Sequence, residues 1–155
     1  RMTTVKTFED VRDHINASDT LYRYCSTVDQ KDFVGLRTVF DDDARMRYTA
    51  AGTWSEWVEG ADAIVAWVDK MTADRGFQHH LVSVYHVDVE GDQASALAYL
   101  TSHQVAADDP NQVLQMSSRY RNRLRRDGDG WVITEIQLEI GWIEVRTFDQ
   151  SLALG

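Results

Sequence analysis

Downstream of Gly76 the spacing of apolar residues changes from the three-and-four step of a helix to the two-residue step of a strand, and it holds that step to about residue 145. Residues 78–90, 93–106, 112–126 and 131–145 read as four long strands. Gly91-Asp92 and Asp127-Gly128-Asp129-Gly130 supply tight turns, and 107–111, which holds the only proline, is a looser connection. Strands of this length joined in order form an antiparallel meander, and such a meander twists and coils.

The first half is helical. Residues 8–28 carry Val11, Ile15, Ser18, Tyr22, Cys25 and Asp29 along one stripe, widened by Leu21 and Val28. A second short helix is predicted over 32–40, capped by Asp32, with Phe33, Leu36 and Phe40 inward. A short strand over 44–49 carries Tyr48, and 60–71 gives a third helix with Ile64, Trp67, Val68 and Met71 at helical spacing. In the tail, Phe148, Leu152 and Leu154 have near-helical spacing. Helices first and strands afterwards argue for an α+β fold in one domain spanning 1–155. Its expected form is a curved antiparallel sheet of four long strands plus a short one. About three helices on the concave face would leave a cone-shaped pocket between helix and sheet.

Charge narrows the function. A formal net charge of −9 disfavours nucleic-acid binding, which needs clustered cations. Arg119, Arg121, Arg123 and Arg125 alternate, so one strand would place them together on a solvated outer face. No apolar run is long enough to span a membrane, and residues 1–10 lack the apolar core of a signal peptide. The single cysteine, Cys25, forms no internal disulfide, and a cytoplasmic location is expected. Cys25 sits among apolar helix residues, where its thiol is a poor nucleophile.

Asp29 lies on a core-facing stripe, where a carboxylate is costly unless paired. In strand 78–90 the row His79, Leu81, Ser83, Tyr85, Val87 and Val89 carries no formal charge, whereas the opposite row holds His80, Val82, Val84, His86 and Asp88. On that ground His79 is expected inward and His80 outward. Leu97, Tyr99, Thr101, His103 and Val105 share a face of the next strand, opposite Ala94, Ala96 and Ala98. Leu114, Met116, Ser118, Tyr120 and Asn122 turn away from the arginines and are expected inward. An aspartate against an inward histidine fixes the imidazole tautomer and makes a general base. The adjacent pair His79-His80 splits across a strand, so no metal site is expected, and no glycine-rich phosphate loop is present.

Tyr24-x4-Asp29-x2-Asp32-Phe33, Tyr48, Gln78-His79-His80, Tyr99-x3-His103 and the run from Glu139 to Glu144 occur in an order that resembles the SnoaL-like family of the nuclear-transport-factor-2-like cone fold. The pattern is most similar to scytalone dehydratase and its bacterial relatives. The resemblance implies that Asp29 orients His79, that Tyr48 holds a substrate oxygen, that His103 is a second acid–base group and that Tyr24 is a pocket aromatic. It implies no cofactor. Val28 stands where the dehydratase has tyrosine and Ser83 where asparagine is frequent, while His103 matches only across a bulge. These departures argue against a strict scytalone dehydratase and leave open a relative acting on another cyclic substrate.

The expected activity is a cofactor-independent dehydratase-like lyase or isomerase acting on a cyclic apolar molecule such as a polyketide, steroid or phenolic. Tyr22, Phe33, Phe40, Trp54, Trp67, Met116, Tyr120, Trp142 and Phe148 are the expected walls, with Ser118 among the substrate contacts. The alternative is a non-catalytic small-molecule-binding or assembly domain of the same fold. A homo-oligomer, dimer or trimer, is expected through the outer sheet face, read as His80, Val82, Val84 and the alanine row.

Overall fold

The computed structural model describes residues 7–149 and 151. Their order is α1 (Phe8–Asp29), α2 (Phe33–Thr38), β1 (Phe40–Ala50), β2 (Thr53–Trp54), β3 (Val58–Glu59), α3 (Ala61–Thr72), β4 (Arg75–Glu90), β5 (Gln93–Ala106), β6 (Gln112–Asp127) and β7 (Gly130–Thr147). The α+β class and the four long strands are as the sequence predicts. β4 to β7 form the antiparallel meander, and β1 joins β7 in parallel, so the curved, open sheet is mixed. Strand order is β2-β1-β7-β6-β5-β4, with β3 paired to β1.

Local chemistry sets the helix ends. Thr7 Oγ1 accepts from the Asp10 amide at 3.1 Å and Asp10 accepts from the Thr7 amide at 2.8 Å, a capping box that starts α1. Asp32 Oδ1 accepts from the Gly35 amide at 2.8 Å, and a Cβ at Gly35 would sit 2.2 Å from the other carboxylate oxygen. α2 stops two residues earlier than expected because the Ile133 amide of β7 donates to the Val39 carbonyl at 2.8 Å. Phe40 therefore begins β1, and its buried ring meets Tyr24 edge-on at 5.9 Å.

α1 is rotated from its predicted orientation. Asp13, Ala17, Thr20, Leu21, Tyr24, Cys25 and Val28 are buried, while Val11, Ile15 and Tyr22 are exposed. The inner row includes polar groups because each has a partner. Asp13 binds Arg126 at 2.8 and 2.9 Å, and the Thr20 hydroxyl donates to the Trp131 carbonyl at 3.0 Å. Small Ala17 meets the sheet beside them, and Leu36, Ile64, Leu124 and Ile133 close the core with no exposed surface. Each such aliphatic side chain contributes about 1.5–3 kcal/mol by leaving water.

Bulges decide which side chains face the helices. In β4 the register against β5 shifts between Val84 and His86, in β7 against β6 between Ile133 and Glu135, and again between Ile140 and Trp142. Each shift inserts one residue, bends the strand and exchanges the inward and outward rows beyond it. At the last of them the glycine is needed, since a Cβ on Gly141 would lie 3.1 Å from the Ser117 carbonyl oxygen. In β4 the inward row is consequently Gln78, His80, Val82 and Val84 before the bulge and Val87 and Val89 after it.

That arrangement corrects several expectations. His80 and not His79 is turned inward. Ala94, Ala96 and Ala98 are buried, because their small side chains let the helical layer approach, so His103 on the opposite row of β5 faces outward. His79 and His103 are direct cross-strand partners on the outer face, with rings 6.1 Å apart. The outer surface is therefore formed by Leu81, Tyr85 and Tyr99, not by His80, Val82, Val84 and the alanines. The predicted β6 rows hold: Ser118, Tyr120 and Asn122 are buried, and Arg119, Arg121 and Arg123 are outside. Leu152 and Leu154 lie outside the described residues.

Candidate functional site

The end of α1 and the start of β4 are tied side by side. The Gln78 carboxamide donates to the Val28 carbonyl at 3.2 Å, and two residues on, the His80 amide donates to Asp29 Oδ2 at 2.9 Å. The other Asp29 oxygen receives the His80 ring through Nδ1. The His80 side chain is only 6% exposed and that of Asp29 19%, so the contact is largely shielded from bulk water. A carboxylate on Nδ1 holds the proton there and leaves Nε2 as the basic nitrogen. Because both carboxylate oxygens are engaged by one residue, Asp29 fixes both the ring tautomer and the position of the strand that carries it.

His80 forms part of the wall of a cavity of about 230 Å3 between helices and sheet. Tyr24 and Val28 come from α1, and Trp67, Val68, Met71 and Thr72 from α3. The sheet contributes Tyr48, Gln104, Leu114, Met116, Tyr120, Leu138, Ile140 and Ile143. Tyr48 and Trp67 pack with ring centroids 5.3 Å apart, joining β1 to α3. The Tyr24 and Tyr120 rings meet edge-on at 5.7 Å, and burial raises both phenol pKa values well above the ordinary range. They stay protonated and act only as hydrogen-bonding groups. Burial likewise pushes the Cys25 thiol up to about 12, which removes it as a nucleophile at neutral pH.

Of the residues predicted for the site, the structure brings together Asp29, Tyr24, Tyr48, Trp67, Met116 and Tyr120. Ser118 is buried on the inward row but is not among the residues that line the cavity. Trp54 packs under Arg47, whose guanidinium carbon is 4.4 Å from the ring, and Phe148 is exposed; neither reaches the cavity. Trp142 lies outside because the bulge at Gly141 turns it there and brings Ile143 inward. Phe33 and Phe40 belong to the core instead, and Tyr22 is exposed on the far side of α1.

The sequence reading missed His80 and Gln104, the two polar groups whose row parity it inverted. A signal for the inversion exists: Val82 and Val84 are even-numbered and Val87 and Val89 odd, so the valine row itself changes parity across Tyr85-His86. A larger, open depression of about 580 Å3 lies on the outer face. Its charged residues, Arg119 and Glu139, pair with each other at 2.7 Å, and no acid–base dyad faces it. Among the described residues there is no cluster of three or more His, Cys, Asp or Glu placed to hold a metal ion, and no helix is long and apolar enough to cross a membrane.

Comparison with known proteins agrees with this architecture. An uncharacterised protein of Mycobacterium tuberculosis is 30% identical over 125 residues, covering 80% of this chain and 82% of the relative. A candidate scytalone dehydratase of Novosphingobium aromaticivorans superposes with a TM-score of 0.77 at 14% identity, covering 93% of this chain and 96% of the other. A hexachlorocyclohexane dehydrochlorinase of Novosphingobium barchaimii gives a TM-score of 0.75 at 13% identity, with 88% and 92% covered. These two likenesses are likenesses of fold. The SnoaL-like domain model matches residues 9–137, and the chain belongs to that family.

Proposed function

We propose that this protein is a cofactor-independent lyase or isomerase in which His80, oriented by Asp29, moves a proton on a compact cyclic substrate held in the helix–sheet cavity. The observation that carries the reading is the double engagement of Asp29 by His80 at the wall of a largely apolar cavity. A carboxylate held there fixes the ring tautomer, leaves Nε2 free to take a proton and faces the charge that develops when it does. The reaction then continues by loss of a leaving group or by return of the proton elsewhere on the ring. Fold neighbours that include a dehydrochlorinase and a candidate dehydratase are consistent with elimination chemistry on this scaffold.

The cavity volume refines the substrate. About 230 Å3 lies below the roughly 300–1,000 Å3 that holds drug-sized ligands, which favours one or two rings over a steroid. The proposal is tested by replacing His80 with alanine. His80→Ala is expected to retain ligand binding and fold and to lose about 10²–10⁴-fold in turnover, the usual worth of a positioned acid–base group. Full activity in that variant overturns the reading, and a parent protein that binds cyclic ligands without converting any of them supports the binding-domain alternative.

Self-association is proposed through the corrected outer face. Leu81, Tyr85, Tyr99 and Trp142 are each between 39% and 57% exposed around the open depression. An unpaired apolar rim on a sheet whose facing charges are already paired suits a second copy of the same face.

A further inference from the structure

The strand geometry that keeps His79 and His80 from sharing an ion sends His79 to the outer face, where His103 stands directly opposite it on β5. Residues directly opposite on antiparallel strands have Cβ atoms about 4.5–5.5 Å apart. Two imidazoles on one zinc ion need ligating nitrogens about 3.3 Å apart, given Zn–N bonds of about 2.0–2.1 Å at tetrahedral angles, and the cross-strand spacing permits this after a turn about the side-chain torsions. The two rings already face each other, with centroids 6.1 Å apart and planes at 23°. His79 is exposed and His103 half-buried, and among the described residues neither ring has a hydrogen bond or ion pair to the rest of the chain. No further His, Cys, Asp or Glu among them joins the pair as a third ligand. Beyond His103 the outer row continues through Gln115 on β6 to Glu144 on β7, and Arg146 holds Glu144 at 2.7 Å.

We propose that His79 and His103 are half of a zinc site, completed by the same two residues of a second copy where two outer sheet faces meet. This rests on the reading of that face as the self-association surface. Structural zinc takes four ligands in a tetrahedron, and neutral imidazole is one of its usual donors. Two ligands from each of two copies meet that number, and two from one copy do not. Position agrees with number. Two residues along each strand from the histidines stand Leu81 and Thr101, which are also cross-strand partners, and both line the outer depression. Further along, the Tyr85 and Tyr99 rings pack 4.3 Å apart across the same two strands. A two-fold contact is self-complementary, so groups that straddle its axis meet their own copies. An axis running between β4 and β5 along the face lays His79 against the partner's His103, and lays Leu81 and the two tyrosines on the partner's apolar rim. Each copy carries a formal net charge of −9, so two copies repel, and a dication held by neutral imidazoles at their junction offsets part of that repulsion.

The probe is zinc sulfate in a non-chelating buffer, compared with EDTA, on the full chain. Metal analysis after gel filtration is expected to find one zinc ion per two chains. Sedimentation over a dilution series is expected to show the two-chain association constant raised about 100-fold when free zinc is about a hundred times the dissociation constant of the bridged site. Cobalt in place of zinc is expected to give the intense visible absorption of a tetrahedral ion and not the faint band of an octahedral, water-filled one. His79→Ala and His103→Ala are each expected to lose the zinc effect while associating in EDTA as the parent does, with an unchanged thermal midpoint. One ion per chain without tighter association shows a site completed by water and overturns the bridge, as does tightening that survives in either variant. Zinc without effect on a parent that already associates in EDTA overturns this inference alone and leaves the outer-face reading standing. A parent that is monomeric in both conditions overturns the two together. A parent that is monomeric in EDTA and dimeric in zinc upholds the bridge and refutes the apolar rim as a sufficient cause of association.

Discussion

Replacing Asp29 by asparagine changes almost nothing in volume and reverses one hydrogen bond. In the parent, Asp29 accepts twice from His80, at 2.9 Å from the backbone amide and again from the ring Nδ1. Asparagine can keep one oxygen on the amide, but it then presents its NH2 to Nδ1. The ring has to accept there, which moves its proton to Nε2 and removes the base from the cavity side. The same inversion of tautomer in a serine protease triad costs about 10⁴-fold in turnover, and loss of an acid–base group in general costs about 10²–10⁴-fold, so Asp29→Asn is expected to fall by about 10³–10⁴-fold. The effect on stability is expected to be far smaller. The backbone contact survives, and the neighbouring Gln78 bond to the Val28 carbonyl independently holds β4 to α1. The assay is α-proton exchange of 2-indanone in deuterium oxide, run beside thermal unfolding on the same samples. Exchange at the parent rate from a folded Asp29→Asn protein refutes the tautomer argument. A variant whose thermal midpoint collapses shows instead that Asp29 serves mainly to join the helix to the sheet.

Asp13→Ala is expected to cost roughly 1–3 kcal/mol of stability by removing the bidentate partner of Arg126, which keeps Asp92 at 2.9 Å, and to leave ligand binding unchanged because the pair sits at the opposite end of the strands from the cavity; denaturant unfolding and binding of a neutral two-ring ketone such as 2-indanone read the two effects. Arg126 holds the Asp13 carboxyl below its ordinary pKa, so its contribution is present above about pH 4 and is lost as pH falls through the lower folded value; acid unfolding of the parent should be steeper there than that of Asp13→Asn. Cys25 has the opposite sign: its folded pKa is raised to about 12 from an ordinary value near 9, so its contribution is intact below pH 9 and fades as pH rises toward 12, and a thiol reagent at pH 8 should label it only at the rate of unfolding. Sedimentation at micromolar concentration is expected to give an oligomer that Leu81→Arg dissociates without unfolding, since Leu81 is 57% exposed; a monomeric parent refutes the outer-face proposal.

Most of the fold was legible because it rests on periodicity and punctuation. The change of period after Gly76, the turns at Gly91-Asp92 and at residues 127–130 and the cap at Asp32 all act over a few residues, and all are found where they were expected. What was not legible depends on tertiary partners. Val11 and Ile15 look like core residues, yet α1 turns Asp13 and Thr20 inward, because Arg126 and the Trp131 carbonyl are waiting there. The parallel pairing of β1 with β7 joins segments some 90 residues apart and leaves no mark on either.

The choice between His79 and His80 shows where the limit lies. A strand without a bulge obliges every second residue to share a face, and under that rule the uncharged row containing His79 is the reasonable inner face. The inserted residue at Tyr85 makes two half-strands of opposite parity. The apolar-row argument then remains correct for Val87 and Val89 and becomes wrong for His79. The same device at Gly141 sends Trp142 out and Ile143 in. These bulges also bend the sheet, and the bend is what leaves room between it and the helices for a cavity. One irregularity thus both makes the site and disguises which residues belong to it. The clue lay in the spacing of the β-branched residues, two between Val82 and Val84, three between Val84 and Val87, and two again to Val89. A step of three within an otherwise two-step strand is the mark of a bulge, and reading it places His80 on the wall opposite Asp29.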